Sequence, residues 1–96
     1  MLENKFQSNL IKELKKDFPG CMVLNNDSSY LQGIPDLTIF YKKHWAMLEC
    51  KKNATAHKQP NQEYYVNKMN EMSYAAFVCP ENKTEVIAEL KKKFGE

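Results

Sequence analysis

Two runs of residues typical of β-strands lie almost side by side in the sequence, and they constrain the fold more than any other feature. The first covers residues 36–41 and the second covers residues 45–51, so only Lys42, Lys43 and His44 connect them. A connection this short can join only antiparallel neighbours, because a parallel pair needs a crossover of a dozen or more residues. The sequence therefore predicts a β-hairpin at the centre of the chain.

The flanking segments predict three helices and two further strands. An apolar side chain recurs every four residues from Leu2 to Phe18, which indicates an amphipathic helix that ends at Pro19 and Gly20. Residues 21–24 and 74–79 have the length and apolar character of strands. Helical periodicity marks residues 60–72 and the segment after Pro80, whose apolar face is Val86, Ile87, Leu90 and Phe94. The predicted order is αβββαβα, an α/β fold.

The length of the chain limits what it can bury. Ninety-six residues fit one domain, which we expect to span residues 1–96. Such a chain buries only about 60–65% of the surface that it exposes when unfolded, so a partner copy would stabilise half-covered elements.

No apolar run has the length of a membrane span, and the N-terminus lacks the apolar core of a signal peptide. We therefore expect a cytoplasmic protein without a membrane contact.

The basic residues are of one kind. All fourteen are lysines, and the formal net charge is +2. Arginine is the usual bidentate reader of guanine edges, so its absence argues against sequence-specific DNA recognition. Lysine point charges still allow contact with a phosphate backbone.

The cysteines suggest neither disulfides nor zinc. Cys21, Cys50 and Cys79 are odd in number, far apart and set in apolar stretches. These features predict reduced, mostly buried thiols. Neither they nor His44 and His57 have the spacing of zinc ligands, which argues against a zinc site.

One end of the predicted hairpin carries two carboxylates and a lysine. Side chains alternate along a strand, so Glu49 and Lys51 share one face and Cys50 points to the other. If the first two residues of the connection form the turn, Asp36 lies opposite Glu49. If the last two form it, Asp36 faces Lys51. Both registers place the two carboxylates on one face, about 5–8 Å apart between Cβ atoms.

Two neighbouring carboxylates on a partly buried face repel each other and lose hydration. Mg²⁺ removes both penalties, since it takes oxygen ligands from one or two carboxylates and keeps several waters. Lys51 could orient or deprotonate a water, or stabilise phosphate charge, which is the chemistry of phosphodiester hydrolysis. The alternative is an exposed Glu49–Lys51 ion pair on an edge strand, which would contribute little. The apolar residues 46–48 directly before the pair favour the metal site.

Three motifs surround this constellation in a fixed order: Gly33-Ile34-Pro35-Asp36-Leu37, Leu48-Glu49-Cys50-Lys51 and Gln59-Pro60-Asn61-Gln62. Together they resemble the PD-(D/E)XK nuclease superfamily. The pattern is similar to the virus-type replication-repair nuclease (VRR-NUC) branch, in the small phage and bacterial type related to Holliday-junction resolvases. The resemblance covers nearly the whole chain. It implies a restriction-endonuclease-like αβββαβ core, with a mixed sheet flanked by helices and an additional C-terminal helix.

The resemblance also implies roles for the matched residues. Asp36 and Glu49 would bind Mg²⁺ or Mn²⁺ through their side chains, and Cys50 through its backbone carbonyl. Lys51 would be the catalytic lysine.

Two further roles follow from the same resemblance. The family's glutamate on the first helix matches Glu3, because Gln7 follows it at the family's spacing. Glu13 competes for this role, but it also fits a solvent-facing helical charge, and Glu3 fits a favourable charge at the helix N-terminus. Gln62 matches the family's glutamine at the start of the helix after Glu49-Cys50-Lys51, which implies a catalytic role, and helical spacing turns it toward the sheet. A polar residue at a helix start without a role in the site is the alternative. Gln59 could substitute for it.

These interpretations converge on a divalent-metal-dependent, structure-specific DNA endonuclease. The resemblance to dimeric Holliday-junction resolvases implies a homodimer that resolves four-way junctions. Two active sites related by a two-fold axis suit the two symmetric cuts. A nuclease of the same fold that acts on flaps, nicked duplex or single strands is the alternative. A catalytically idle module that binds nucleic acid is a further alternative from a different class.

Overall fold

The computed structural model describes residues 2–95, so Met1 and Glu96 of the predicted domain lie outside the described residues. Within this range the order αβββαβα is confirmed. The elements are α1 (Glu3–Asp17), β1 (Met22–Asn25), β2 (Leu37–Tyr41), β3 (His44–Cys50), α2 (Pro60–Met72), β4 (Tyr74–Val78) and α3 (Lys83–Phe94).

Helix α1 forms because its apolar residues return to one side every four positions. Phe6, Leu10 and Leu14 are buried on that side, and Phe18 is buried just after the helix. The predicted inclusion of Leu2 in this stripe was wrong. Leu2 precedes the helix in an extended conformation and its side chain is 78% exposed, because the first turn begins only at Glu3.

The four strands form one mixed sheet in the order β1-β2-β3-β4. Strand β2 pairs antiparallel with β1 and with β3, whereas β4 joins β3 in parallel after the crossover through α2. The pairing of Tyr41 with His44 makes Lys42-Lys43 the hairpin turn, so the predicted three-residue connection was one residue too long. Lys42 adopts the left-handed conformation (φ 55°) that such a tight turn requires.

The two faces of the sheet are covered differently. Helices α1 and α3 pack on one face and share its hydrophobic core with the inward side chains of β2, β3 and β4. Helix α2 lies on the other face, where its Gln62 contacts Glu49. Because neighbouring residues of β3 point to opposite faces, Leu48 and Cys50 enter the core while Glu49 projects toward α2.

The thiols agree with the sequence analysis. Cys21, Cys50 and Cys79 are free, and the last two are buried. Among the helices of the described residues, none is both long enough and apolar enough to cross a membrane.

A tight contact joins the loop before β2 to the start of α2. Gly33 has φ 94°, and a Cβ atom built on it would lie 2.4 Å from the Cβ of Asn61. Only glycine combines this backbone conformation with so close an approach. The contact fixes the loop that leads into Asp36 against the helix that carries Gln62.

Replacing Gly33 with alanine should therefore cost more stability than an equivalent replacement elsewhere. Gly20 is a matched control, because it also has positive φ (88°) but nothing lies within 4 Å of the position that a Cβ atom would take there. Gly20→Ala should lower the free energy of unfolding by about 1 kcal/mol through backbone strain alone. Gly33→Ala should cost about 2 kcal/mol or more, as measured by denaturant unfolding. Equal costs would show that the contact with Asn61 relaxes freely.

Candidate active site

Asp36 and Glu49 are locked together at the end of the hairpin. The pairing of Leu37 with Leu48 continues one residue further and sets Asp36 opposite Glu49, which is the first of the two predicted registers. The backbone N–H of Asp36 donates to Oε1 of Glu49 (3.1 Å), and the N–H of Cys50 donates to Oδ2 of Asp36 (2.9 Å). Each carboxylate is thus held by the backbone of the opposite strand.

Asn26 positions the segment that carries Asp36. Its side-chain amide donates to the carbonyl of Pro35 (2.9 Å) and to Oγ1 of Thr38 (2.7 Å), and its backbone N–H donates to the carbonyl of Asp36 (2.8 Å). Sequence reasoning missed this residue. The polar stretch around Asn26 signalled only a loop, and nothing in it identified which amide would fold back on β2.

Gln62 connects the catalytic lysine candidate to the carboxylates. Its Oε1 accepts a hydrogen bond from Nζ of Lys51 (2.8 Å), and its Nε2 donates to Oε2 of Glu49 (2.9 Å). Nζ of Lys51 also lies 3.9 Å from Oε2 of Glu49. The structure therefore brings Asp36, Glu49, Lys51 and Gln62 into one constellation, while their catalytic and metal-binding roles stay predictions.

The burial of Glu49 excludes the exposed ion pair that was the alternative interpretation. Glu49 is only 4% exposed and lies on β3, an inner strand of the sheet. The Lys51 side chain is 12% exposed. A buried carboxylate and ammonium lose much of their hydration, so this pair is not an ordinary solvated surface contact.

Burial also perturbs the acidity of both carboxyls. Burial, followed by the charge of Asp36, raises the pKa of Glu49 to about 7, against the opposing effects of Lys51 and of the Asp36 N–H. Burial raises the pKa of Asp36 as well, although the N–H of Cys50 and the charge of Lys51 oppose it. Two adjacent carboxyls that ionise reluctantly are the setting in which a hard cation is stabilising, so these residues fit a divalent metal.

The thiol of Cys50 does not take part in this site. It belongs to the hydrophobic core on the other face of the sheet, and burial, followed by the charges of Asp36 and Glu49, raises its pKa. A metal could therefore be contacted by Cys50 only through its backbone carbonyl, and that role stays a prediction.

Glu3 lies at the margin of the constellation. It is exposed in the first turn of α1, and its charge is the smallest of the causes that raise the pKa of Glu49. Within residues 2–95, no three His, Cys, Asp or Glu side chains come together as a metal-binding group. The part of Glu3 as a third ligand therefore stays a prediction.

The two competing residues have structural roles. Glu13 forms an ion pair with Lys83 (3.4 Å) that joins α1 to α3, and both side chains are about one-third exposed (36% and 35%). Gln59 caps α2: its side chain accepts the backbone N–H of Gln62, while Oε1 of Gln62 accepts the N–H of Gln59 (3.0 Å). Gln62, and not Gln59, reaches the carboxylates.

Comparison with solved structures relates this geometry to known proteins. The chain superposes on a structure described as a "VRR_NUC domain protein" with a TM-score of 0.72 and 18% identity, covering 96% of this chain and 89% of that one. A second structure, described as "VRR_NUC domain", gives a TM-score of 0.64 and 20% identity over 84% of this chain and 92% of that one. No family model and no curated protein matches the sequence.

The chain therefore has the fold of VRR_NUC domain proteins. At the level of the fold, this similarity confirms the VRR-NUC resemblance that the motifs indicated. It also confirms the predicted restriction-endonuclease-like α/β core.

The raised pKa of Glu49 predicts how the stability of the metal-free protein depends on pH. Between the ordinary pKa of 4.5 and the folded value of about 7, the folded state binds more protons than the unfolded state. The free energy of unfolding should therefore fall as pH rises through this window, by up to about 3 kcal/mol. Denaturant unfolding in a chelator from pH 4.5 to 8 measures the decline.

Two variants separate the causes of this decline. Glu49→Gln should remove most of the decline between pH 4.5 and 7, because it removes the group whose pKa lies near 7, whereas Asp36, whose pKa is also raised, remains. Asp36→Asn should only reduce the slope, because it removes the charge of Asp36 but not the burial of Glu49. A wild-type profile that is flat or rising over this window would contradict the assignment.

Proposed function

We propose that this chain is a divalent-metal-dependent endodeoxyribonuclease that hydrolyses phosphodiester bonds in branched DNA as a homodimer. One observation carries the catalytic part of the proposal. Asp36 and Glu49 are held side by side through the backbone of the hairpin, and Gln62 links Lys51 to the same carboxylate pair.

The carboxylates of Asp36 and Glu49 would hold Mg²⁺ or Mn²⁺, together with the backbone carbonyl of Cys50. Mg²⁺ commonly keeps several waters beside one or two carboxylates, so this donor set is sufficient without Glu3. The chemistry that a bound cation supplies is Lewis-acid activation of the phosphodiester and of water. Glu3, at the start of α1, would add negative charge at the margin of the site.

Lys51 would provide the charge that acts on the phosphate. Its ammonium is held by Oε1 of Gln62, so its position does not depend on the longer contact with Glu49. A preorganised ammonium in a site shielded from water stabilises developing negative charge more strongly than a mobile surface lysine does. Gln62 hydrogen-bonds both Lys51 and Glu49. It would therefore set the distance between the ammonium of Lys51 and the metal-binding carboxylate of Glu49.

Affinity for DNA would come from phosphates and not from bases. The chain has fourteen lysines and no arginine, which suits contact with the backbone of any sequence.

An exposed apolar face on β1 and β2 supports the homodimer. Met22 pairs with Phe40 in the sheet, and Met22, Leu24 and Phe40 are 61%, 44% and 43% exposed. Helix α2 contacts β3 and β4, so it leaves this part of the sheet open. A second copy that presents the same apolar face around a two-fold axis would bury it, whereas phosphates would not. Two active sites in such a dimer suit the two symmetric cuts that a four-way junction requires.

The catalytic assignment predicts the effect of three substitutions. In Mg²⁺ or Mn²⁺, the wild type should cut a labelled four-way junction, and a chelator should abolish cutting. Lys51→Ala should lower the cleavage rate about 10²-fold or more while DNA affinity changes little. Asp36→Asn should abolish cleavage yet retain binding, since it removes a negative charge from the phosphate path. Lys92→Ala is the matched control, because Lys92 is exposed on α3, behind the opposite face of the sheet.

Near-normal turnover by Lys51→Ala and Asp36→Asn would return these residues to a structural role. If the wild type binds DNA but never cuts it in either metal, the chain is an idle binding module instead.

The homodimer predicts a second set of measurements. Sedimentation should give a dimer, and Phe40→Glu should convert it to a monomer because two carboxylates would then face each other across the interface. Ala88→Glu, at an exposed position of α3, is the control.

Junction binding should weaken with salt by a log–log slope of about −0.9 per phosphate neutralised. A strict monomer that cuts linear duplex as fast as junctions would end the junction-resolving part but leave the metal nuclease standing.

A further inference from the structure

A cleft opens beside the active site and shares one residue, Gln62, with it. It has a volume of about 310 Å³ and lies between the loop before β2 and the first turn of α2. Ser28 and Gln32 line it from the loop, and Gln59, Asn61 and Gln62 line it from the helix. Its size is at the lower end of the range of small-ligand sites in proteins.

The chemistry of this cleft differs from that of the neighbouring site. Among residues 2–95, its polar lining consists of amide side chains and one hydroxyl, and no charged side chain lines it. A phosphate group would find no cation there, and a metal ion would find no carboxylate. Amides offer donors and acceptors side by side, which is the pattern that the edge of a nucleobase matches.

The walls of the cleft are built and not accidental. The contact of Gly33 with Asn61, too close for any Cβ atom on Gly33, fixes the loop wall against the helix wall. The reciprocal capping of Gln59 and Gln62 fixes the first turn of α2. Preorganised walls lower the ordering cost of binding a small rigid group.

The position of the cleft links it to the reaction. Gln62 forms part of its lining and at the same time hydrogen-bonds Lys51 and Glu49. A group seated in the cleft would therefore lie beside Gln62, which belongs to the constellation that acts on the phosphate.

We propose that this cleft binds the base of an unpaired nucleotide adjacent to the phosphate that is cut. This inference rests on the proposed nuclease function and adds a substrate preference to it. A base inside a duplex is stacked and paired, so only an unpaired or extruded one can enter a pocket of this kind. Branch points and bulges supply such nucleotides, and the cleft would select them through base-edge hydrogen bonds from Gln32 and Asn61.

Cleavage of two matched junctions tests the preference. One is fully paired, and the other carries a single unpaired nucleotide next to the cut position. The wild type should cut the second about fivefold faster, which corresponds to one or two neutral hydrogen bonds. This ratio should fall toward one in Gln32→Ala, which removes an amide, and in Ser28→Leu, which fills the cleft. Asn67→Ala removes an exposed amide of α2 that does not line the cleft, so it should keep the ratio.

A binding measurement tests the cleft independently of cleavage. With 2-aminopurine as the unpaired base, fluorescence should rise on binding to Asp36→Asn protein, because no aromatic side chain lines the cleft to stack on the base. Adding Gln32→Ala or Ser28→Leu to that protein should remove the rise.

The outcomes separate the two proposals. Equal rates on both junctions, or a ratio that Gln32→Ala and Ser28→Leu leave unchanged, overturn the cleft while the nuclease stands. Absence of any cleavage by the wild type refutes the nuclease, and with it the position of the base beside a cut phosphate. The fluorescence measurement then tests only whether the cleft binds an unpaired base. A rise that both cleft variants remove supports this binding, whereas no rise, or a rise that the variants retain, overturns it.

Discussion

The arrangement of the site depends on two like charges held together at the end of a hairpin. Asp36 and Glu49 would separate in water, yet each accepts a hydrogen bond from the backbone of the opposite strand. Backbone hydrogen bonds between the strands therefore hold the two carboxylates together against their mutual repulsion. Burial raises the pKa of both carboxyls, and the charge of Asp36 raises that of Glu49 further. A cation that binds between them would offset the repulsion between the two carboxylates.

The core and the site are built from alternate residues of one strand. Leu48 and Cys50 enter the hydrophobic core, and Glu49, between them, enters the site. The core therefore holds the carboxylate on both sides along the chain, so Glu49 cannot move away from Asp36 without disturbing buried packing. This is how a chain of 96 residues can keep an unfavourable charge arrangement rigid.

The sequence predicted the parts of this design that depend on local pattern. Hydrophobic periodicity located the helices and strands, and strand alternation put Glu49 and Lys51 on one face. The hairpin register stayed open between two choices, because Lys42, Lys43 and His44 contain no residue that dictates the turn. The hydrogen bonds of Asn26 and the contact of Gly33 with Asn61 were not predictable, since both join segments whose relative placement depends on the whole fold.

Gln62 belongs at once to the cap of α2, to the candidate active site and to the cleft. The reciprocal capping hydrogen bonds with Gln59 fix Gln62 in the first turn of α2. The contact of Gly33 with Asn61 holds this turn against the loop before β2. The amide of Gln62 then sets Lys51 relative to Glu49 and forms a wall of the neighbouring cleft. A shift of α2 by a fraction of an ångström would thus alter the lysine, the metal ligand and the cleft together. The proposed chemistry and the proposed preference for an unpaired base are therefore coupled through one side chain.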